Sequence, residues 1–189
     1  FKKMAGYDTL RLILCKKAIL VEGDSDELVV QKAYQSENNN RLPIEDQVDV
    51  ISVGTSFLNF LDIAVALNQK VAVVTDNDGD VLALQKKYAD YLQDNKKDNI
   101  AICYDEVVDT GSLTIGEKPY NYNTLEPKLL KANGYNITLF NSILGTKYST
   151  LEDLQKYMKN NKTKVAMAIF DSSENIIFPG YILEAIKNE

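Results

Sequence analysis

The sequence predicts an α/β protein: a parallel, doubly wound sheet flanked by helices, with a helical appendage on its C-terminal side. Three observations carry this. Four short runs read as buried strands, near Lys17 to Val21, Val48 to Val53, Lys70 to Thr75 and Asn99 to Tyr104. Segments of helical period lie between them, which is the alternation of a parallel sheet. Acidic clusters follow the first and third runs, Glu22-Gly23-Asp24-Ser25-Asp26 and Asp76-Asn77-Asp78-Gly79-Asp80, and in open α/β sheets ligands lie beyond the carboxyl ends of the strands.

In chain order, Tyr7 to Leu14 reads as a helix entering the first strand, and Ser25-Asp26-Glu27 opens a second helix that runs to about Ser36. Glu37 to Asp46, with three successive Asn, is a loop. After the second strand, Gly54-Thr55-Ser56 forms a turn and cap for an apolar-periodic helix from Phe57 to Leu67. A polar helix rich in Lys and Tyr follows the third strand and continues through Gln93. The pattern then changes: Glu106 to Tyr122 mixes short strands and turns, and helices are expected at Leu125 to Ala132, Ile137 to Leu144, Leu151 to Asn160 and Lys164 to Phe170. Pro179 fits the first turn of a closing helix. The chain divides on this reading into a core over residues 1–105, with its leading helix, and a helical remainder over residues 106–189.

At 189 residues, with 45% hydrophobic and 25% charged residues, the chain can bury a sizeable core. No apolar run approaches the ~20 residues of a bilayer span, and Phe1 to Gly6 lack the features of a signal peptide, so no membrane partner and a cytoplasmic location are expected. A first residue of Phe suggests a piece of a longer protein. Cys15 and Cys103 are the only cysteines and there is no His, which excludes a zinc site and a disulfide framework and leaves both as reduced core residues. A net charge of −6 argues against a general nucleic-acid binder, although much of it sits in the acidic motifs, where bound metal would offset it.

Carboxylates placed side by side repel one another and are costly to desolvate, and a divalent cation removes both costs. Ligands that are all oxygen suit Mg²⁺ or Mn²⁺. Glu22 and Asp26 can face the same sheet edge, although Ser25 or Asp26 could equally be a helix cap. Asp76 and Asp78 can reach one cation if the chain bends at Gly79. An EF-hand loop starting at Asp76 fails, because Val81 stands where the loop needs Gly and Lys87 where it needs Glu.

These two motifs, in this order, resemble those of the TOPRIM domain found in topoisomerases, primases and several nucleases, a Rossmann-like parallel sheet. More closely, the opening from Phe1 to Tyr34, with Gly6-Tyr7-Asp8-Thr9-Leu10-Arg11 ahead of Ile19-Leu20-Val21-Glu22-Gly23-Asp24-Ser25-Asp26-Glu27, looks like the C-terminal TOPRIM region of OLD-family (overcoming lysogenization defect) nucleases. The nuclease subunit of the Gabija anti-phage system is among their relatives. The resemblance implies two-metal phosphodiester hydrolysis of DNA. One Mg²⁺ or Mn²⁺ ion would be held mainly by Glu22, Asp76 and Asp78, and a second by Asp26 and Glu126. Thr124-Leu125-Glu126 matches the family's later Ser/Thr-x-Glu metal motif and Lys164 a catalytic Lys. Without the family, Thr124 is a helix cap, Glu126 a first-turn acid and Lys164 a solvated residue near Lys156, Lys159 and Lys162.

The resemblance further implies an ATPase region in the same full-length protein, a helicase or other defence partner, and oligomerisation through the missing region. The chain itself has no Walker A pattern, so it cannot supply P-loop chemistry. Two rivals remain. A HAD-like phosphohydrolase would use Asp76 as its nucleophile, but that nucleophile normally follows the first strand. A noncatalytic TOPRIM-like module would bind a partner or nucleic acid without turnover. A topoisomerase is disfavoured, since none of the 11 Tyr is marked as reactive.

Overall fold

The computed structural model describes residues 5–187. Phe1 to Met4, part of the opening resemblance, and the last two residues of the second segment lie outside the described residues. Helix α1 (Ala5–Leu14) leads into β1 (Lys17–Val21), then α2 (Asp24–Glu37), β2 (Val48–Ser52), α3 (Phe57–Leu67), β3 (Lys70–Val74), α4 (Val81–Lys87) and β4 (Ile100–Cys103). A small antiparallel pair follows, β5 (Thr114–Ile115) with β6 (Lys118–Pro119). Helices α5 (Leu125–Ala132), α6 (Ile137–Leu144), α7 (Leu151–Asn160), α8 (Lys162–Asp171) and α9 (Gly180–Lys187) complete the chain.

The four long strands form one parallel sheet in the order β2-β1-β3-β4. Val, Ile and Ala dominate them because strands covered on both faces need apolar side chains on both. Ala18 and Leu20 join Val71 and Val73 on one face, under Leu12 of α1, Phe57 and Leu61 of α3 and Leu84 of α4. Ile19, Val21, Ala72 and Val74 form the other face. There Val29 and Val30 of α2 meet Leu129 of α5, Met158 of α7, Ile169 of α8 and Ile182 of α9 in a single core. The C-terminal helices are therefore a layer of the same structure, packed on the sheet.

In this strand order the chain leaves β1 toward one edge and β3 toward the other, so the crevice between them is the topological switch point. Lys17 to Leu20 pair with Lys70 to Val73 in parallel register, and both acidic motifs emerge side by side at that crevice.

Two elements differ from the sequence reading. The polar helix expected through Gln93 ends at Lys87, and 3₁₀ turns at Ala89–Tyr91 and Gln93–Asn95 replace the rest. Tyr88 turns fully into the core, edge-on to Phe57, Tyr91 is buried with its hydroxyl donating to Asp62 Oδ1 at 2.9 Å, and Gln93 takes a left-handed backbone that an α-helix running through it could not hold. Helix α8 begins at Lys162, two residues earlier than expected. Cys103 lies in the core and Cys15 is half-buried, both free. Among the described residues no helix is long and apolar enough to cross a membrane.

Candidate active site

Backbone geometry brings the acids together. β1 ends at Val21, so Glu22 starts the turn at the switch point, and its carbonyl accepts from the Gly54 N–H at 3.0 Å and the Ser52 hydroxyl at 3.3 Å. Gly23 donates its N–H to Asp26 Oδ2 at 2.8 Å, and a Cβ at position 23 would come within 3.3 Å of the same oxygen. Asp26 is thus the first-turn half of a helix cap, and it also faces the cleft. Its capping role does not take it away from the cleft.

Beyond β3, Asp78 and Gly79 adopt left-handed backbone, φ +50° and +88°, which turns the chain sharply at the acidic motif. Asp76 Oδ2 accepts the N–H of Leu125 at 3.1 Å, an otherwise orphan donor at the N-terminus of α5. Its Oδ1 accepts the hydroxyl of buried Tyr181, on α9, at 3.3 Å. Asp78 is exposed, with Oδ1 accepting from Asn121 Nδ2 at 3.2 Å.

The opposite wall comes from α5 and α8. Glu126 is buried; its Oε2 lies 3.5 Å from both the Thr124 hydroxyl and Lys162 Nζ. A lysine in the first turn of a helix opposes the macrodipole, and the acids across the cleft supply the compensating charge. Glu22, Asp26, Asp76, Asp78, Thr124, Glu126 and Lys162 line one cleft of about 360 Å³.

The electrostatics follow from this crowding. Burial raises Asp26 to about 6, with Glu126 and Glu22 adding to the effect and the Gly23 N–H and Lys162 opposing it. Burial likewise lifts Asp76 well above the ordinary carboxylate range, reinforced by Asp26, Glu126 and Asp78 and opposed by Lys162. Burial alone would lower Lys162, but Glu126, Asp76 and Asp26 outweigh it and hold its ammonium above the usual value. The cleft has more negative charge than one lysine offsets.

All the sequence-predicted acids meet here, with Thr124. Lys164 does not. It is exposed on α8, and Lys162, one helical half-turn earlier, reaches the cleft instead. Two residues on a helix are about 200° apart, so Lys162 and Lys164 point to nearly opposite sides of α8, and the Lys cluster at 156–164 gave no signal that could choose among its members. Tyr181 was not singled out either, because a tyrosine in a C-terminal amphipathic stretch looks like core. The donor chemistry fits a divalent cation: only oxygen ligands, crowded and short of positive charge. Among the described residues, however, no three acidic side chains already form a coordination group, since Asp26 and Asp76 direct oxygens at protein N–H and O–H donors.

The sequence profile of the "overcoming lysogenization defect protein-like, TOPRIM domain" family matches residues 13–78. Over residues 13–78 the chain is similar to an OLD-like TOPRIM domain. That segment holds Glu22, Asp26, Asp76 and Asp78; Glu126 and Lys162 lie beyond it. Solved structures extend the likeness in fold across the chain. The C-terminal region of the Xanthomonas campestris pv. campestris OLD protein, phased with platinum, is similar over 94% of this chain and 93% of its own, with a TM-score of 0.58 and 19% identity. The corresponding region of the Burkholderia pseudomallei OLD protein covers 92% of this chain and 96% of its own, at a TM-score of 0.59 and 18% identity. A search of curated proteins gives no match. The TOPRIM fold is typically that of nucleases and metal-binding enzymes, and this cleft has the oxygen donors such a fold uses.

Proposed function

We propose that this chain is a Mg²⁺- or Mn²⁺-dependent DNA endonuclease domain that hydrolyses phosphodiesters. The observation that supports it most is the convergence of six acidic residues, Asp24 among them, and one lysine on a cleft at the β1/β3 switch point. Glu22, Asp76 and Asp78 would hold one ion, and Asp26 and Glu126, with Thr124 beside them, a second. Bound ions would supply an activated water and charge neutralisation at the scissile phosphate.

The chain's own residues do the rest. Asp26 and Asp76, held from behind by the Gly23 and Leu125 N–H groups, present their carboxylates from fixed backbone. Lys162, kept protonated by its acidic neighbours, can donate to a non-bridging phosphate oxygen as negative charge builds on it, which is where a fixed cation lowers the barrier. We assign to Lys162 the role the resemblance offered to Lys164. The HAD-like alternative loses ground, because Asp76 follows the third strand rather than the first and that reading leaves Glu22 and Glu126, which share its cleft, without a role.

The wider reading remains part of the proposal: a cytoplasmic protein with an ATPase region elsewhere in its full-length chain, a helicase or other partner, self-association through that region, and a role in anti-phage defence or DNA repair. The test is cleavage of supercoiled plasmid with Mg²⁺, Mn²⁺ or EDTA. Nicking or linearisation that needs the metal and disappears in Glu22→Ala is expected. Metal-independent cleavage, or an unaffected Glu22→Ala variant, would overturn the assignment.

A further inference from the structure

Behind the cleft lies a second polar cluster that the proposed chemistry does not use. Asn77 sits between the two aspartates of the β3 motif, yet its side chain points away from them and is 3% exposed. Its Nδ2 donates to the Asp105 carbonyl at 2.5 Å and the Val107 carbonyl at 3.2 Å, and its Oδ1 accepts the Gly79 N–H at 2.9 Å. Lys128, two residues beyond Glu126 on α5, is also 3% exposed. Its ammonium donates to Asp105 Oδ2 at 2.6 Å, the Val107 carbonyl at 2.8 Å and Asp109 Oδ2 at 2.8 Å. Asn123 completes the cluster: its Oδ1 accepts the Asp109 N–H at 2.7 Å and its Nδ2 donates to the Asp109 carbonyl at 2.9 Å.

Asn77 and Lys128 thus grip the same short segment, residues 105–109, and share the Val107 carbonyl as an acceptor. One belongs to the turn that carries Asp76 and Asp78, the other to the helix that carries Glu126. Glu106, Val107 and Val108 are exposed, so little apolar packing holds this segment in place. Buried lysines are strongly disfavoured unless paired, and a buried ion pair is weak evidence for stability but a good device for fixing one geometry. The left-handed turn at Asp78 and Gly79 likewise needs its surroundings to over-determine it.

We infer that Asn77 and Lys128 are positioning residues that form one polar hub, through residues 105–109, and set the separation between the Asp76–Asp78 turn and Glu126. The consequence for metal affinity rests on the function proposed above; the coupling itself does not. Partners that orient first-contact ligands commonly carry 10–100-fold in affinity.

The test compares wild type with Asn77→Ala and Lys128→Met by hydrogen exchange at residues 76–79 and at Leu125, Glu126 and Lys128, together with Mn²⁺ binding by calorimetry. Each variant is expected to speed exchange about tenfold in both segments, including the one it does not touch, and to weaken Mn²⁺ binding by roughly 10–100-fold. If Lys128→Met does not fold, Asp109→Asn, which removes one partner's charge, should loosen the same two segments to a lesser degree. Loosening confined to each variant's own segment would overturn the hub. Failure of wild type to bind Mn²⁺ would instead strike the metal reading, while the exchange data still decide on the coupling.

Discussion

The two walls of the cleft are built by different means. The strand wall, with Glu22, Asp26, Asp76 and Asp78, takes its position from the main chain: parallel register between β1 and β3 puts two strand ends side by side, and every acid lies within five residues of one. The helix wall, with Thr124, Glu126 and Lys162, is placed by side chains that bridge long stretches of sequence, such as Lys128 to Asp105, Leu125 to Asp76 and Lys162 to Glu126. A ladder of backbone bonds tolerates substitution of its side chains. A wall held by individual side-chain bonds does not.

The largest effect should come from the strand wall itself. Asp76→Ala combined with Asp78→Ala removes two ligands of one proposed ion and leaves the strand ladder intact, while also releasing the Leu125 N–H of the helix wall. Metal-assisted steps are worth several kcal/mol, so plasmid cleavage should fall by roughly 10³-fold or more while the circular dichroism spectrum is kept. Equal cleavage by this variant and wild type would remove the strand wall from the chemistry.

Next is the choice between two lysines on α8. Lys162→Ala should lower the cleavage rate about 10²–10³-fold, the usual cost of deleting a group that stabilises transition-state charge. Lys164→Ala should leave it within about threefold, because Lys164 faces solvent. A reversed order would show that the helix wall reaches substrate through a different face of α8.

This contrast also explains what the sequence disclosed. Periodicity located all four strands of the sheet, because alternating or continuous apolar runs are a local consequence of burial. The acids at the ends of β1 and β3 were visible for the same reason: a charged residue directly after a buried strand is locally anomalous. Glu126 came only through resemblance, since a first-turn acid satisfies a helix N-terminus anyway. Lys162, Tyr181, Asn77 and Lys128 gave no local signal. Their roles are set by partners 36, 105, 28 and 23 residues away, at Glu126, Asp76 and, for the last two, Asp105. The early end of the α4 segment was hidden too, because nothing local to Tyr88 says that it turns into the core.

A pH series on the metal-free protein sharpens the account of crowding. Asp26 is raised from 3.8 to about 6, so the folded state holds its proton more tightly than the unfolded state. That contribution to stability is full below about pH 4 and is lost as pH rises through about 6. At ~1.36 kcal/mol per pH unit the loss amounts to about 3 kcal/mol. Chemical denaturation between pH 4 and 7 should show this decline, and Asp26→Asn should lessen it by that amount, leaving the part that Asp76, raised in the same direction, contributes. Saturating Mn²⁺ should do the same by another route, as the ion replaces the proton. A wild-type curve that rises over this range would mean that the cleft is not short of positive charge.

The smallest effect expected is also the one that joins the two walls. Tyr181 lies on α9, the last helix of the described chain, and its hydroxyl is the only atom lost in Tyr181→Phe. The ring remains to fill its place against β3, so packing is preserved. The Asp76 carboxylate then loses one of the two donors that fix its orientation, the one on Oδ1, while the Leu125 N–H still holds Oδ2. Mn²⁺ affinity should fall about tenfold, near the lower limit for an orienting partner, with the cleavage rate at saturating metal nearly unchanged. A fall in that saturated rate with affinity intact would place Tyr181 in contact with the reacting phosphate. An unchanged affinity and rate would leave Leu125 alone as the contact through which the helix wall orients Asp76.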